Sequence, residues 1–200
     1  MTSTTDLDLG PQTLVVARLA AGVPEERLAD RTPCPEYAVT DLLGHLAALS
    51  LAFRDAARKD LGPSTAVPPG STRPVLPADW RTELPRLLAE LAEAWKSPEA
   101  WTGFTRAGGV DLPGEVAGIV AADELVVHGW DLARATGQEY VPDPAALRAS
   151  HAFLLAAAEE QGDGGGLFGA AVPVPDGAPL LDRTVGLSGR DPHWSAPGTP

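Results

Sequence analysis

Apolar residues recur at helical spacing in five stretches of this chain, and the breaks between them predict a helical bundle. From Pro11 to Ala21, Leu14, Val15, Arg18 and Leu19 keep that spacing, and Pro11 suits a first turn because its missing N–H would have no partner there. Pro24 to Leu28 reads as one further turn, and Thr32-Pro33-Cys34-Pro35 breaks the chain. A second helix is expected from Val39 to Lys59, with Leu42, Leu46, Leu49 and Phe53 as its stripe and basic residues at its C-terminal end. Leu61 to Pro77 holds five prolines and must be a loop, long enough to cross one end of a bundle.

A third helix, Asp79 to Trp95, carries Trp80, Leu84, Leu87, Leu88 and Leu91. The glycines near Phe104 to Gly109 indicate a turn. The fourth helix, Gly114 to Thr136, shows Val116, Ile119, Val120, Val127 and Trp130, and Gly137 is placed to end it. A fifth follows Pro144 through Leu147, Phe153 and Leu154 to Glu160. After Gly162 the pattern turns irregular, with Asp176 as a cap for a short helix from Ala178 to Leu187 and a frayed end from Ser195. The expected fold class is all-α: a four-helix bundle, residues 1–161, with an added helix, and a C-terminal extension, residues 162–200, packed on it as part of one domain.

Composition narrows the partners. A net charge of −12 and no Lys/Arg run oppose nucleic acid and anionic membranes. No apolar run reaches the length of a membrane span, and Met-Thr-Ser-Thr-Thr-Asp lacks the features of a secretion signal, so a cytoplasmic monomer or homodimer is expected. The one cysteine, Cys34, excludes an intrachain disulfide; with no His or cation next to it in sequence, it is read as part of a rigid turn.

The chemistry concentrates in three residues. Glu124 and His128 stand one turn apart on the apolar stripe of the fourth helix, shared with Ala117, Val120, Ala121, Leu132 and Ala135. Alone, this spacing is equally that of a hydrogen-bonded i,i+4 pair. His45 adds a second inward-facing histidine from the second helix, and facing helices build metal sites in this way. On the residues alone, a metal site and a set of hydrogen-bonded core histidines account for the pattern equally well.

Two segments tip that balance. Thr-Pro-Cys-Pro-Glu-Tyr-Ala-Val-Thr-Asp-Leu-Leu-Gly-His-Leu (32–46) and Asp-Glu-Leu-Val-Val-His-Gly-Trp-Asp-Leu-Ala-Arg-Ala-Thr-Gly (123–137) resemble the signature blocks of the mycothiol-dependent maleylpyruvate isomerase metal-binding domain, within the DinB/YfiT-like superfamily. Phe-Gly-Ala-Ala-Val-Pro-Val-Pro (168–175) and Gly-Arg-Asp-Pro-His-Trp (189–194) resemble an uncharacterised actinobacterial branch of it. The resemblance implies an up-down-down-up bundle and ligation of a divalent metal by His45, Glu124 and His128, with Tyr37 as the aromatic before the second helix. Two imidazoles and a carboxylate suit zinc first, and also nickel, iron or manganese. Three protein ligands leave a position open for water, a substrate oxygen or a thiolate.

The resemblance further implies mycothiol as co-substrate and a small electrophile as substrate. In the isomerase, thiolate addition to a cis double bond permits rotation and elimination to the trans isomer, and in relatives a thiol passes to an electrophile. The expected function is a thiol-dependent transferase or isomerase, with non-catalytic metal binding or sensing as the alternative. The characterised isomerase is expected to carry a separate C-terminal α/β domain, whereas about forty residues follow the fifth helix here. Metal-assisted hydrolysis would need a general base, for which Asp41, Asp123 and Asp131 are candidates. Arg134 is read as a structural ion pair, His151 and His193 as non-ligands, the five tryptophans as core anchors with Trp130 near the pocket, and Gly162–Gly166 as a flexible run.

Overall fold

A computed structural model of the chain describes residues 7–161 and 169–196; the glycine run at 162–166 and the last four residues lie outside that range. Among the described residues seven helices follow in order: α1 (Gly10–Ala21), α2 (Val39–Arg58), the single turn α3 (Pro63–Ala66), α4 (Trp80–Ala94), α5 (Gly114–Thr136), α6 (Pro144–Gln161) and α7 (Leu180–Leu187). A short antiparallel hairpin, β1 (Phe104–Ala107) and β2 (Val110–Pro113), precedes α5. No described helix is long and apolar enough to cross a membrane.

Helices α1, α2, α4 and α5 form the bundle. Gln12 near the start of α1 donates to the Leu125 carbonyl (3.0 Å), while Gln138, just past α5, donates to that of Leu19 (3.0 Å), so α1 and α5 run in the same direction. The start of α2 meets the middle of α5 at His45 and Glu124, and Lys59 at its far end lies against Gly114, so α2 runs opposite to α5. Arg81 at the start of α4 reaches Val23, past the end of α1, whereas Arg54 near the end of α2 bonds Glu90 near the end of α4. The order is therefore up, down, down, up, as expected. The two parallel neighbours α2 and α4 require the long proline-rich crossover, which Arg73 fastens to the first turn of α2 by a paired hydrogen bond to Asp41 (2.8 and 2.7 Å).

The buried faces follow the predicted stripes on α2 and α4, where Leu42, Leu46, Leu49, Phe53, Trp80, Leu84, Leu88 and Leu91 are all buried. On α1 and α5 the face is rotated: Leu14 and Val116 are exposed, and the buried set is Val15, Val16 and Leu19 with Ala117, Ala121, Leu125 and Leu132. Helix α5 packs against α1, α2 and α6 together, so its buried surface is too wide to show a narrow stripe. Gln12 is also fully buried, satisfied by Leu125, the Tyr140 hydroxyl (3.0 Å) and the Asp143 N–H (2.9 Å).

Two expectations need correction. The turn near Phe104–Gly109 is a complete hairpin, with Gly108 and Gly109 at φ +60 and +78. A two-residue loop that follows the right-handed twist of the strands needs positive φ at both positions, and Gly-Gly supplies it. Asp176 does not cap the last helix, which starts at Leu180 after the extended Pro179.

Candidate metal centre

His45 enters from α2, and Glu124 and His128 from α5. The three residues meet. The Nε2 atoms of both histidines lie 3.2 Å from the same Glu124 oxygen, and one ligand atom from each residue falls within 4.8 Å of the others. The two imidazoles stand nearly perpendicular, 83° apart with centroids at 4.7 Å, so both can direct a lone pair at one point. A tetrahedral ion with bonds near 2.05 Å imposes donor separations of about 3.3 Å, which the two histidine–Glu124 distances of 3.2 Å match. The donor set and its spacing fit a divalent cation.

The two sides of the cluster differ. The His45 and Glu124 side chains are 25% and 28% exposed, whereas that of His128 is 10% exposed. Behind His128, its Nδ1 lies 2.9 Å from Asp131, one turn further along α5. The carboxylate can only accept, so Nδ1 carries the proton and Nε2 faces the cluster. Asp131 is itself fully buried and paired with Arg190, which follows α7, at 3.3 and 3.0 Å. A buried charge needs such a partner.

Without a cation the electrostatics rest on Glu124, His128 and Asp131. Burial opposes ionisation of Glu124, but its bonds to His128 and His45 outweigh it and hold the carboxyl far below its usual range. Burial also opposes a charge on His128, yet Asp131 and then Glu124 raise its pKa to about 9. Asp131 is held below its ordinary value, the Arg190 charge and the His128 bond outweighing burial.

The other candidates fall away from this role. Asp41 is engaged by Arg73 and the Ala38 N–H (3.0 Å). Asp123 faces α6, where the Ser150 hydroxyl donates to it at 2.6 Å, and burial raises its pKa to about 7. Neither is free to act as a base at the cluster. Arg134 makes no ion pair among the described residues, contrary to expectation; it is exposed and donates to the Trp194 carbonyl. Trp130 is buried beneath it and does not line the cleft beside the cluster. Cys34 does have a cationic neighbour, Arg190, but burial and then the Asp131 charge push its thiol up to about 11. His193 is exposed, and His151 faces Thr184 at 3.2 Å.

Beside the cluster lies a cleft of about 500 Å³, bordered by Arg31, Thr32, Glu36, Tyr37, Arg73 and Trp194. Tyr37 joins it to the cluster, its ring 5.4 Å from that of His45.

Sequence reasoning missed Arg190. It stands 59 residues beyond Asp131, and no periodicity links the two. The available signal was Asp131 itself, one turn past a candidate ligand on a buried face.

The chain is similar to known proteins. Residues 9–133 match the model of the mycothiol maleylpyruvate isomerase N-terminal domain. An uncharacterised protein of Mycobacterium tuberculosis, found in strains CDC 1551 and H37Rv, is 27% identical over 177 residues, covering 87% of this chain and 91% of the relative. Among solved structures, a variant of mycothiol-dependent maleylpyruvate isomerase aligns with a TM-score of 0.59 at 18% identity, over 83% of this chain and 77% of that one. A second structure of that isomerase aligns at 0.53 and 17% identity, over 77% and 72% of the two chains. The overall path of the helices is thus shared with that isomerase, and with its matching sequence blocks this chain belongs to the mycothiol maleylpyruvate isomerase N-terminal domain family.

Proposed function

We propose that His45, Glu124 and His128 hold a divalent metal, zinc before nickel, iron or manganese, and that the protein is a thiol-dependent transferase or isomerase using mycothiol and a small electrophile. The observation that carries this reading is the convergence of two imidazole Nε2 atoms, from separate helices, on one Glu124 oxygen at 3.2 Å. A bound divalent ion would favour the thiolate form of a thiol at neutral pH.

The chain's own residues prepare the site in three ways. Asp131 keeps the His128 proton on Nδ1 and thereby fixes the ring with Nε2 toward the cluster. Arg190 balances the Asp131 charge in a buried setting. His45 and Glu124, each about a quarter exposed, leave the cluster open on the side away from Asp131. The neighbouring cleft is within the usual range for small-molecule sites and carries Arg31 and Arg73 on its walls. The partial exposure of His45 and Glu124 favours the catalytic reading over non-catalytic binding or sensing.

We further take the bundle, residues 1–161, and the extension, residues 162–200, as one working unit, because Arg190 and Trp194 bond to Asp131 and Arg134 of α5.

Elemental analysis of untagged protein is expected to find a divalent metal, lost in His45→Ala and in Glu124→Ala. Full metal content in both variants would sink the ligand assignment. With mycothiol and maleylpyruvate, or a model electrophile, metal-dependent turnover is expected; metal binding without turnover in either assay would favour the non-catalytic alternative.

A further inference from the structure

Arg190 reaches the cluster from outside the bundle, and the backbone around it fixes its place. Gly189 turns the chain out of α7 at φ +81, and the Arg190 N–H donates to the Val185 carbonyl at 3.1 Å. A Cβ at 189 would lie 3.2 Å from Gly169 and 3.3 Å from the Ala170 carbonyl oxygen, so both the conformation and the space call for glycine. All three guanidinium nitrogens are engaged. Nη1 donates to the Ser188 carbonyl at 2.9 Å, while Nε and Nη2 donate to the two Asp131 oxygens. The side chain is 14% exposed.

One Asp131 oxygen, Oδ2, accepts from both Arg190 Nη2 (3.0 Å) and His128 Nδ1 (2.9 Å). A guanidinium, a carboxylate and an imidazole thus lead in unbroken contact from the C-terminal extension to the cluster. The Arg190 charge is felt at Glu124 as well as at Asp131. Glu124 and Asp131 together carry as much negative charge as a divalent ion carries positive. Alone, those three would be neutral, and an anion would gain little by joining them. Arg190 leaves one positive charge in excess, in a setting where burial weakens screening. Other groups nearby do not cancel it: burial holds the Cys34 thiol neutral, and Asp123 is turned to Ser150 with burial favouring its neutral form.

We propose that Arg190 is a positioning residue which, acting through Asp131 and His128, makes the loaded centre prefer an anion, a thiolate first, over a neutral ligand at its open position. This rests on metal ligation by His45, Glu124 and His128, and adds the charge class of the ligand that the site takes.

The test uses the full chain loaded with cobalt(II), whose visible spectrum reports its ligands. It is titrated with azide as a monoanion and with imidazole at a pH where imidazole is neutral. Cobalt content is measured first, and none in the wild type would overturn the ligand assignment and this inference together. In loaded protein, Arg190→Gln should bind azide about tenfold more weakly, the order expected for one buried charge a few bonds away. It should bind imidazole as before and hold cobalt at least as tightly, since a like charge is gone. Arg190→Lys should retain most of the azide affinity. At saturating cobalt, Asp131→Asn should bind azide more tightly than the wild type, and the double variant Asp131→Asn, Arg190→Gln should return close to the wild-type value. The thiolate of 2-mercaptoethanol should follow azide throughout. If Arg190→Gln does not fold, Asp131→Asn and the double variant still differ by the Arg190 charge alone, and the same tenfold difference is expected between them. Unchanged azide affinity on loss of that charge, an equal loss for imidazole, or a joint loss of cobalt affinity would each overturn the role of Arg190 while leaving the metal ligands in place.

Discussion

The two ends of the bundle use the same helices, α2 and α5, for opposite purposes. At one end α2 and α5 bring His45, Glu124 and His128 together, with Asp131 and Arg190 behind them. At the other, Trp95 and Trp101 pack edge to face at 4.9 Å, and both indole N–H groups are spent on backbone carbonyls, those of Phe53 (3.1 Å) and Trp95 (2.8 Å). The hairpin covers that end and is tied to it by the Thr105 hydroxyl on the Ala56 carbonyl (2.6 Å). The aromatic end gains stability from apolar burial with both indole N–H groups satisfied. The polar end confines charges that balance one another but are costly to bury, which leaves them sensitive to protons and cations. Stability and reactivity are thus placed at different levels of the same bundle.

Perturbing each end separately sharpens this contrast. Trp95→Ala should have the largest effect, about 3–5 kcal/mol lost in urea unfolding, with the metal content of the folded protein unchanged. Coupled loss of metal at full folding would show the ends to be less separate than described. At the other end, Asp131→Asn should weaken metal affinity by roughly 10–100-fold, since His128 loses the group that fixes its tautomer. A competition titration with a chelating dye would measure this, and unchanged affinity would remove Asp131 from the site's support.

The metal-stripped protein should also respond to pH through His128. Its pKa rises from 6.5 to about 9 on folding, so its contribution to stability is complete below about 6.5 and is lost as pH rises through 9. Urea midpoints of chelator-treated protein should therefore fall between pH 6.5 and 9.5, and fall less in Asp131→Asn. An equal fall in both proteins would place the effect elsewhere. The smallest change is expected from Thr105→Val, about 1 kcal/mol for the Ala56 carbonyl left with one bond fewer, with no effect on metal affinity.

The helical frame was legible because local signals agree with the packing. Gly137 ends α5 at φ +69, and the prolines of 61–77 mark a crossover that the parallel pair α2 and α4 demands. One helical turn puts Glu124 and His128 on the same side of α5, but position on a stripe left the part played by His45 open, and the resemblance of segments 32–46 and 123–137 joined the three. What escaped was either non-local or a matter of geometry finer than periodicity. Arg190 reaches Asp131 across 59 residues of chain. The hairpin rests on Gly108 and Gly109, and Gly-Gly between two short β-compatible runs carries a signal for a hairpin as well as for a turn. Leu14 and Val116 misled because an apolar residue at the edge of a wide stripe can point either way.

The Arg190–Asp131 pair also has a consequence for how the protein is made. Translation adds about 5–20 residues per second, so the counter-charge of Asp131, 59 residues downstream, arrives roughly 3–12 s after it. The counter-charge of Asp131 is therefore among the last parts of the site to be synthesised.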